Sequence, residues 1–167
     1  QNIYLSKMSH AHYSVERVLQ NTLLGHLYLA RKNNHERVVL KYSDLTKLSN
    51  SSLCENPKNE VSVMKYLQMF ESHLNIVRFH ESFEVEAKSV DIPSSIISSS
   101  IPWPKDKHLV RVYEYIQGEE LFSAIDRSKS GLGEKLSQDY FLQMLDAVSS
   151  IHRRGIVHLD ISAENFM

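Results

Sequence analysis

A chain of 167 residues, 42% hydrophobic and 23% charged, can bury a sizeable core and is too apolar to be disordered. Its formal net charge of −1 sets up no field that would select nucleic acid or an acidic membrane, and no apolar run is long enough to span a bilayer. The single cysteine, Cys54, excludes an intrachain disulfide and a cysteine-rich metal site, which fits a reducing compartment. The first residues do not read as a secretory signal, so the expected location is the cytoplasm or nucleus. The glycosylation sequon at Asn50 is not expected to be used.

From residue 12 to 42 the pattern predicts strands with turns between them. Tyr13 to Leu19 alternates roughly with period two, and Leu27-Tyr28-Leu29-Ala30 and Val38-Val39-Leu40-Lys41 are short β-type runs flanking the polar turn Lys32-Asn33-Asn34-His35. A polar loop follows at residues 43–52. Glu60 then opens a helical segment in which Val63, Met64, Leu67 and Phe70 fall on one face. After His73-Leu74-Asn75-Ile76-Val77 the chain runs into a further strand. Residues 87–107 are Ser- and Pro-rich without helical period and read as an inserted loop.

His108 to Ile116 predicts a strand, and Glu119-Glu120-Leu121-Phe122 the acidic start of a helix. Ser137 is a helix-capping residue type, predicting a helix over 138–153. Its apolar stripe is Phe141, Met144, Leu145, Val148 and Ile151, and cations and Gly155 close it.

The last segment reads IHRRGIVHLDISAEN over residues 151–165. It resembles the catalytic loop of eukaryotic protein kinases, usually H-R-D-x-K-x-x-N, together with the helix end that precedes it. Val38-Val39-Leu40-Lys41 resembles the family's V-A-I-K strand, residues 73–77 its H-P-N-I-V run, and residues 108–125 the fifth strand, hinge and following helix of a Ser/Thr-type kinase. The resemblance covers about residues 12–167. It implies an α+β, protein-kinase-like fold: a five-stranded antiparallel N-lobe sheet with one helix (about 12–114), a hinge (115–118) and the first helices of an incomplete C-lobe (119–167). It stops before the D-F-G segment, so the chain by itself is expected to be inactive, and to be poorly stable because the apolar stripe from Phe141 to Ile151 would lose part of its packing partner.

The activity so implied is transfer of the γ-phosphoryl group of ATP, with Mg, to Ser/Thr hydroxyls of a protein substrate. In that reading Asp160 accepts the proton of the substrate hydroxyl and Asn165 holds a metal ion. Lys41 reaches the α- and β-phosphates, and Glu60, nineteen residues further on, pairs with Lys41. Glu55 and Glu71 are the other acids nearby, and Glu71 falls too late on the helix. The nucleotide pocket is expected from Leu19, Gly25, Leu27, Val39, Lys41, Tyr113 as gatekeeper, the backbone groups of Glu114 and Ile116, and Glu120 at the ribose.

Four positions depart from the family pattern. Gln20 and Thr22 stand where the glycine-rich loop has its first two glycines, Leu159 where the catalytic loop has Arg, and Ser162 where it has Lys. Loss of that Lys removes a charge stabiliser, a change that typically costs on the order of 100-fold in rate. These departures fit an alternative reading as a pseudokinase, a binding or scaffolding module. A small-molecule kinase of the aminoglycoside or choline type shares the H-x-D-x-x-x-x-N geometry, but residues 120–122 and 151–158 argue against it.

Overall fold

A computed structural model describes residues 12–47, 56–86 and 107–167. Strands β1 (Tyr13–Asn21), β2 (Gly25–Lys32), β3 (Glu36–Asp44), β4 (Phe79–Glu86) and β5 (Lys107–Glu114) form one antiparallel sheet in the order β1-β2-β3-β5-β4. Helix α1 (Pro57–Leu67) lies between β3 and β4 in sequence. Helices α2 (Leu121–Arg127) and α3 (Glu134–His152) and a 3-10 turn (Ala163–Asn165) follow β5. The chain divides into two compact units: one holds the described residues through Phe70 together with 78–115, the other residues 71–77 and 116–167. The five-stranded antiparallel sheet with one helix, followed by further helices, is the architecture the resemblance implied. Among the described residues no helix is long and apolar enough to cross a membrane.

Alternation along the strands gives the sheet two faces of different character. Tyr28, Ala30, Val38, Leu40, Tyr42, Val110 and Val112 form the core on one face, and Tyr13 and Phe83 join it from the outer strands. Each such aliphatic side chain contributes on the order of 1.5–3 kcal/mol by leaving water. β1 and β4 are the edges of the sheet. Even so, the Tyr13 and Phe83 rings stack with centroids 5.9 Å apart, and the Tyr13 hydroxyl donates to Glu81 Oε1 at 2.5 Å. The sheet therefore curls until its edges meet through side chains. The opposite face carries Leu29, Val39, Lys41, Ser43, Arg111 and Tyr113, and β5 is buried on both faces.

The turns follow from residue type. Asn33 and Asn34 take φ of 51° and 63°, the left-handed pair that a tight hairpin matching the twist of its strands requires and that Asn tolerates. Gly25 is needed for a different reason. A Cβ there would lie 2.3 Å from the carbonyl oxygen of Tyr42 on β3, so only glycine lets β2 start this close to its neighbour. Asn56 caps α1 by accepting from the Lys58 N–H at 3.0 Å, and Pro57 fills the first helical position, where no N–H is needed.

Four expectations change. The long helix begins at Glu134, with Gly133 at its cap, so Ser137 lies inside its first turn and donates its N–H to the Gly133 carbonyl at 3.0 Å. Of its apolar stripe only the C-terminal end is buried: Ile151 is 8% exposed but Phe141 58% and Leu145 48%. On α1 the half-buried positions are Glu60, Val61, Met64 and Leu67. Val63 turns outward, and Phe70 lies beyond the helix end. Lys107 belongs to β5 rather than to the inserted loop, whose remaining residues, 87–106, lie outside the described residues, as do Cys54 and Asn50.

Gly155 closes the long helix as expected, through a Schellman pair. Its N–H donates to the His152 carbonyl (2.9 Å) and the Ile156 N–H to the Ile151 carbonyl (3.1 Å), with Gly155 at φ 74°.

Gly25→Ala is expected to destabilise the chain by about 1–3 kcal/mol, the usual cost of forcing atoms into a packed site. Gly118→Ala, where a Cβ meets nothing within 4 Å, should stay within about 0.5 kcal/mol of the parent in either direction. Urea unfolding of the two variants side by side checks the contrast.

Candidate active site

Lys41 and Arg111 are direct cross-strand partners between β3 and β5. They occupy the same sheet face, so two cations stand side by side, an arrangement that is unfavourable unless a counter-charge joins them. Glu60, in the first turn of α1, supplies it. Lys41 Nζ donates to both Glu60 oxygens, at 3.3 and 3.1 Å. Arg111 Nη1 donates to Glu60 Oε2 and Arg111 Nη2 to Ser43 Oγ, while the Tyr113 hydroxyl donates to Glu60 Oε1. The carboxylate thus receives donors from three residues on two strands.

The electrostatics follow from this crowding. Burial pushes the Glu60 carboxyl up, but the charges of Lys41 and Arg111 and the hydrogen bonds from Tyr113 and Lys41 outweigh it and hold the group below its ordinary value. The Tyr113 hydroxyl moves the other way, raised by burial and by the adjacent Glu60 carboxylate. It stays a donor at any ordinary pH.

The expected pairing of Lys41 with Glu60 is present. Glu55 lies outside the described residues, and Glu71 falls in the other compact unit. Of the expected pocket residues, Leu27 pairs in register with Lys41, while Val39 has Leu29 directly opposite on β2 and Tyr113 on β5. Leu19 is half-buried near the end of β1. At the turn after it, Thr22 and Gly25 exchange backbone bonds (2.8 and 3.3 Å), and Thr22 Oγ1 also accepts from the Gly25 N–H at 3.1 Å. An N–H that a glycine-rich loop would offer to a phosphate is here engaged within the turn.

Glu114 has its N–H on the Arg78 carbonyl (2.9 Å), and its side chain accepts from the Arg78 N–H (2.6 Å), so its N–H is not free for a ligand. Ile116 belongs to the second unit and is exposed. In that unit, Glu120 stands at the cap of α2 without a side-chain capping bond, and Glu119 accepts from Arg127.

The predicted catalytic loop forms a self-contained cluster within the second unit. Asn165 Nδ2 donates to the Asp160 carbonyl (2.8 Å), to Asp160 Oδ2 (2.9 Å) and to Ser162 Oγ (3.1 Å). The Asp160 N–H donates to His158 Nδ1 at 3.3 Å, so the exposed His158 side chain holds the loop backbone. Between them Leu159 takes φ 66°, a left-handed conformation that costs a residue with a Cβ on the order of 1–3 kcal/mol. In the same unit Asp146 of α3 meets His73 Nε2 (3.2 Å) and Asn75 Nδ2 (3.3 Å), which ties the 71–77 segment to the helix.

Arg111 and Ser43 were not expected at the site. The signal for Arg111 is present in the sequence: one charged residue in the middle of the apolar run Leu109-Val110-Arg111-Val112-Tyr113.

Comparison with known proteins agrees with this geometry. The family model for the protein kinase domain matches residues 13–167, and the chain belongs to the protein kinase family. Several of its relatives are named as serine/threonine-protein kinases. It is 30% identical to CBL-interacting serine/threonine-protein kinase 19 of Arabidopsis thaliana, over 93% of this chain and 27% of the relative. It is 29% identical to CBL-interacting protein kinase 28 of Oryza sativa subsp. japonica, over 93% of this chain and 30% of the relative. The chain thus spans less than a third of the length of these relatives.

Because Glu60 titrates lower in the folded chain than in the unfolded one, unfolding takes up a proton there. Its stabilising contribution is complete above its ordinary value of 4.5 and is lost as pH falls through and below it. Glu60→Gln is expected to lower stability at neutral pH by about 2 kcal/mol and to flatten the acid limb of the stability profile. Urea midpoints measured from pH 7 to 3.5 for the two proteins check both effects.

Proposed function

We propose that the protein to which this chain belongs transfers the γ-phosphoryl group of ATP to Ser/Thr hydroxyls of a protein substrate. The observation that carries this reading is the Lys41–Glu60 pair at 3.1 Å, formed across the β3 and α1 elements that protein kinases use to orient a phosphate-binding lysine. Lys41 would bind the phosphates of the nucleotide. Asp160, exposed and held by the Asn165 amide, would orient and deprotonate the substrate hydroxyl.

Asn165 suits a place beside Mg: its amide directs N–H groups into the loop, and its side-chain carbonyl is a hard oxygen of the kind that ion takes. When bound, the ion would neutralise charge on the phosphates. Ser162, at the position of the usual lysine, is spent on accepting from Asn165 and brings no cation.

The closed Thr22–Gly25 turn favours a second reading. A catalytically weak or silent kinase domain would serve as a binding module, because its phosphate cradle is already satisfied internally.

Activity of the full-length protein on a mixed Ser/Thr peptide library with Mg·ATP separates the two. The first reading expects phosphate incorporation that Asp160→Asn lowers by about 100-fold or more. Incorporation at background in the parent, or unaffected by that substitution, would sink it.

A further inference from the structure

We infer that Arg111 is the positioning residue of this site: it, rather than Lys41, anchors Glu60 and with it helix α1 to the sheet. The Lys41 ammonium is thereby left available to an anionic ligand. Only that last consequence rests on the nucleotide reading above.

The two cations compete for one carboxylate on unequal terms. The Arg111 side chain is 1% exposed, whereas that of Lys41 is 33% exposed. An ion pair that water can reach is weak and screened, while breaking a buried one leaves an uncompensated charge. Arg111 is also the more rigidly held. Its planar guanidinium spans two acceptors, Glu60 Oε2 through Nη1 and Ser43 Oγ through Nη2, and Ser43 is itself buried on β3. Lys41 ends a flexible four-carbon stem, and Glu60 is the one ion-pair partner recorded for it among the described residues.

Tyr113 completes the hold. Its hydroxyl donates to Glu60 Oε1, so both carboxylate oxygens have a donor from β5 before Lys41 is counted. Charge arithmetic points the same way. One carboxylate facing two permanent cations leaves one positive charge in excess, and the exposed partner is where it faces water.

Hydrogen exchange on the full chain tests this by following the amides of α1 against those of the β1–β2 hairpin. Lys41→Met is expected to leave α1 exchange within about twofold of the parent. Arg111→Met is expected to accelerate it by about tenfold or more while the hairpin amides hold, the loss of a charged hydrogen bond being worth at least that factor. Arg111→Lys, which keeps the charge, should recover part of the protection, a rescue that a loss of packing alone would not show. Should Arg111→Met fail to fold, Lys41→Met decides the matter by itself, since its side chain is one-third exposed: release of α1 in that variant overturns the inference.

Titration of the same proteins with Mg·ATP separates the two readings. Binding that Lys41→Met weakens about tenfold while α1 stays protected supports both. Indifference of Mg·ATP to Lys41 would sink the nucleotide reading and leave the anchoring by Arg111 standing, because the exchange measurement uses no ligand.

Discussion

Two cations placed side by side on adjacent strands can share a sheet face only if an anion is brought to them, and this constraint organises the first unit. Lys41 and Arg111 are register partners, and neither β3 nor β5 carries an acid at the place where they meet. The carboxylate comes instead from Glu60, on an element distant in sequence, and helix α1 must sit where that side chain reaches both. The Asn56 cap, Pro57 at the first helical position and the half-buried Val61, Met64 and Leu67 then serve a helix whose place is set by charge as well as by apolar area.

Much of this was legible in the sequence where a local rule acts alone. Rough alternation over Tyr13–Leu19 and short β-type runs located the first strands, and the polar turn with Asn33 and Asn34 located a hairpin, while the ion pair of Lys41 with Glu60, present at 3.1 Å, was legible through the family resemblance. The catalytic-loop pattern likewise located residues that do come together, Asp160, Ser162 and Asn165. What was not legible depends on more than one element. Arg111 looks like a misplaced charge until the register sets it beside Lys41 and the helix brings Glu60. Ser137 has the right chemistry for a cap, but the chain turns into α3 earlier, at Gly133 with φ 77°, where no side chain announces it. The periodicity of that helix shows only that one face is apolar. Burial of Phe141 and Leu145 needs a neighbour, and among the described residues they have little.

The second unit shows a different economy of means. Its loop is held by short-range bonds from a few polar side chains, His158 on the Asp160 N–H and Asn165 on the Asp160 carbonyl and carboxylate, with strain concentrated at Leu159. Upstream, the Schellman closure at Gly155 ends α3 at a defined residue, so the chain enters the loop from a fixed point. A departure such as Leu159 for the usual Arg is therefore compatible with an ordered loop, because the residues that hold it are the histidine before and the asparagine after.

The curled sheet has a consequence for association. Strands β1 and β4 are edges, and an open edge is a template on which another chain can add a strand. Here both edges are poor templates. β1 is interrupted by irregularities between Val15 and Arg17 and between Val18 and Gln20, and it carries the exposed pair Glu16 and Arg17. β4 is irregular between Phe79 and Glu81, and its acids Glu81 and Glu84 pair with Lys32 and Lys58, so its rim is interrupted and ionic rather than flat and apolar. The same Tyr13–Glu81 contact that closes the core bends the two rims toward each other, and a curved, charged rim resists the flat, in-register stacking from which aggregates grow.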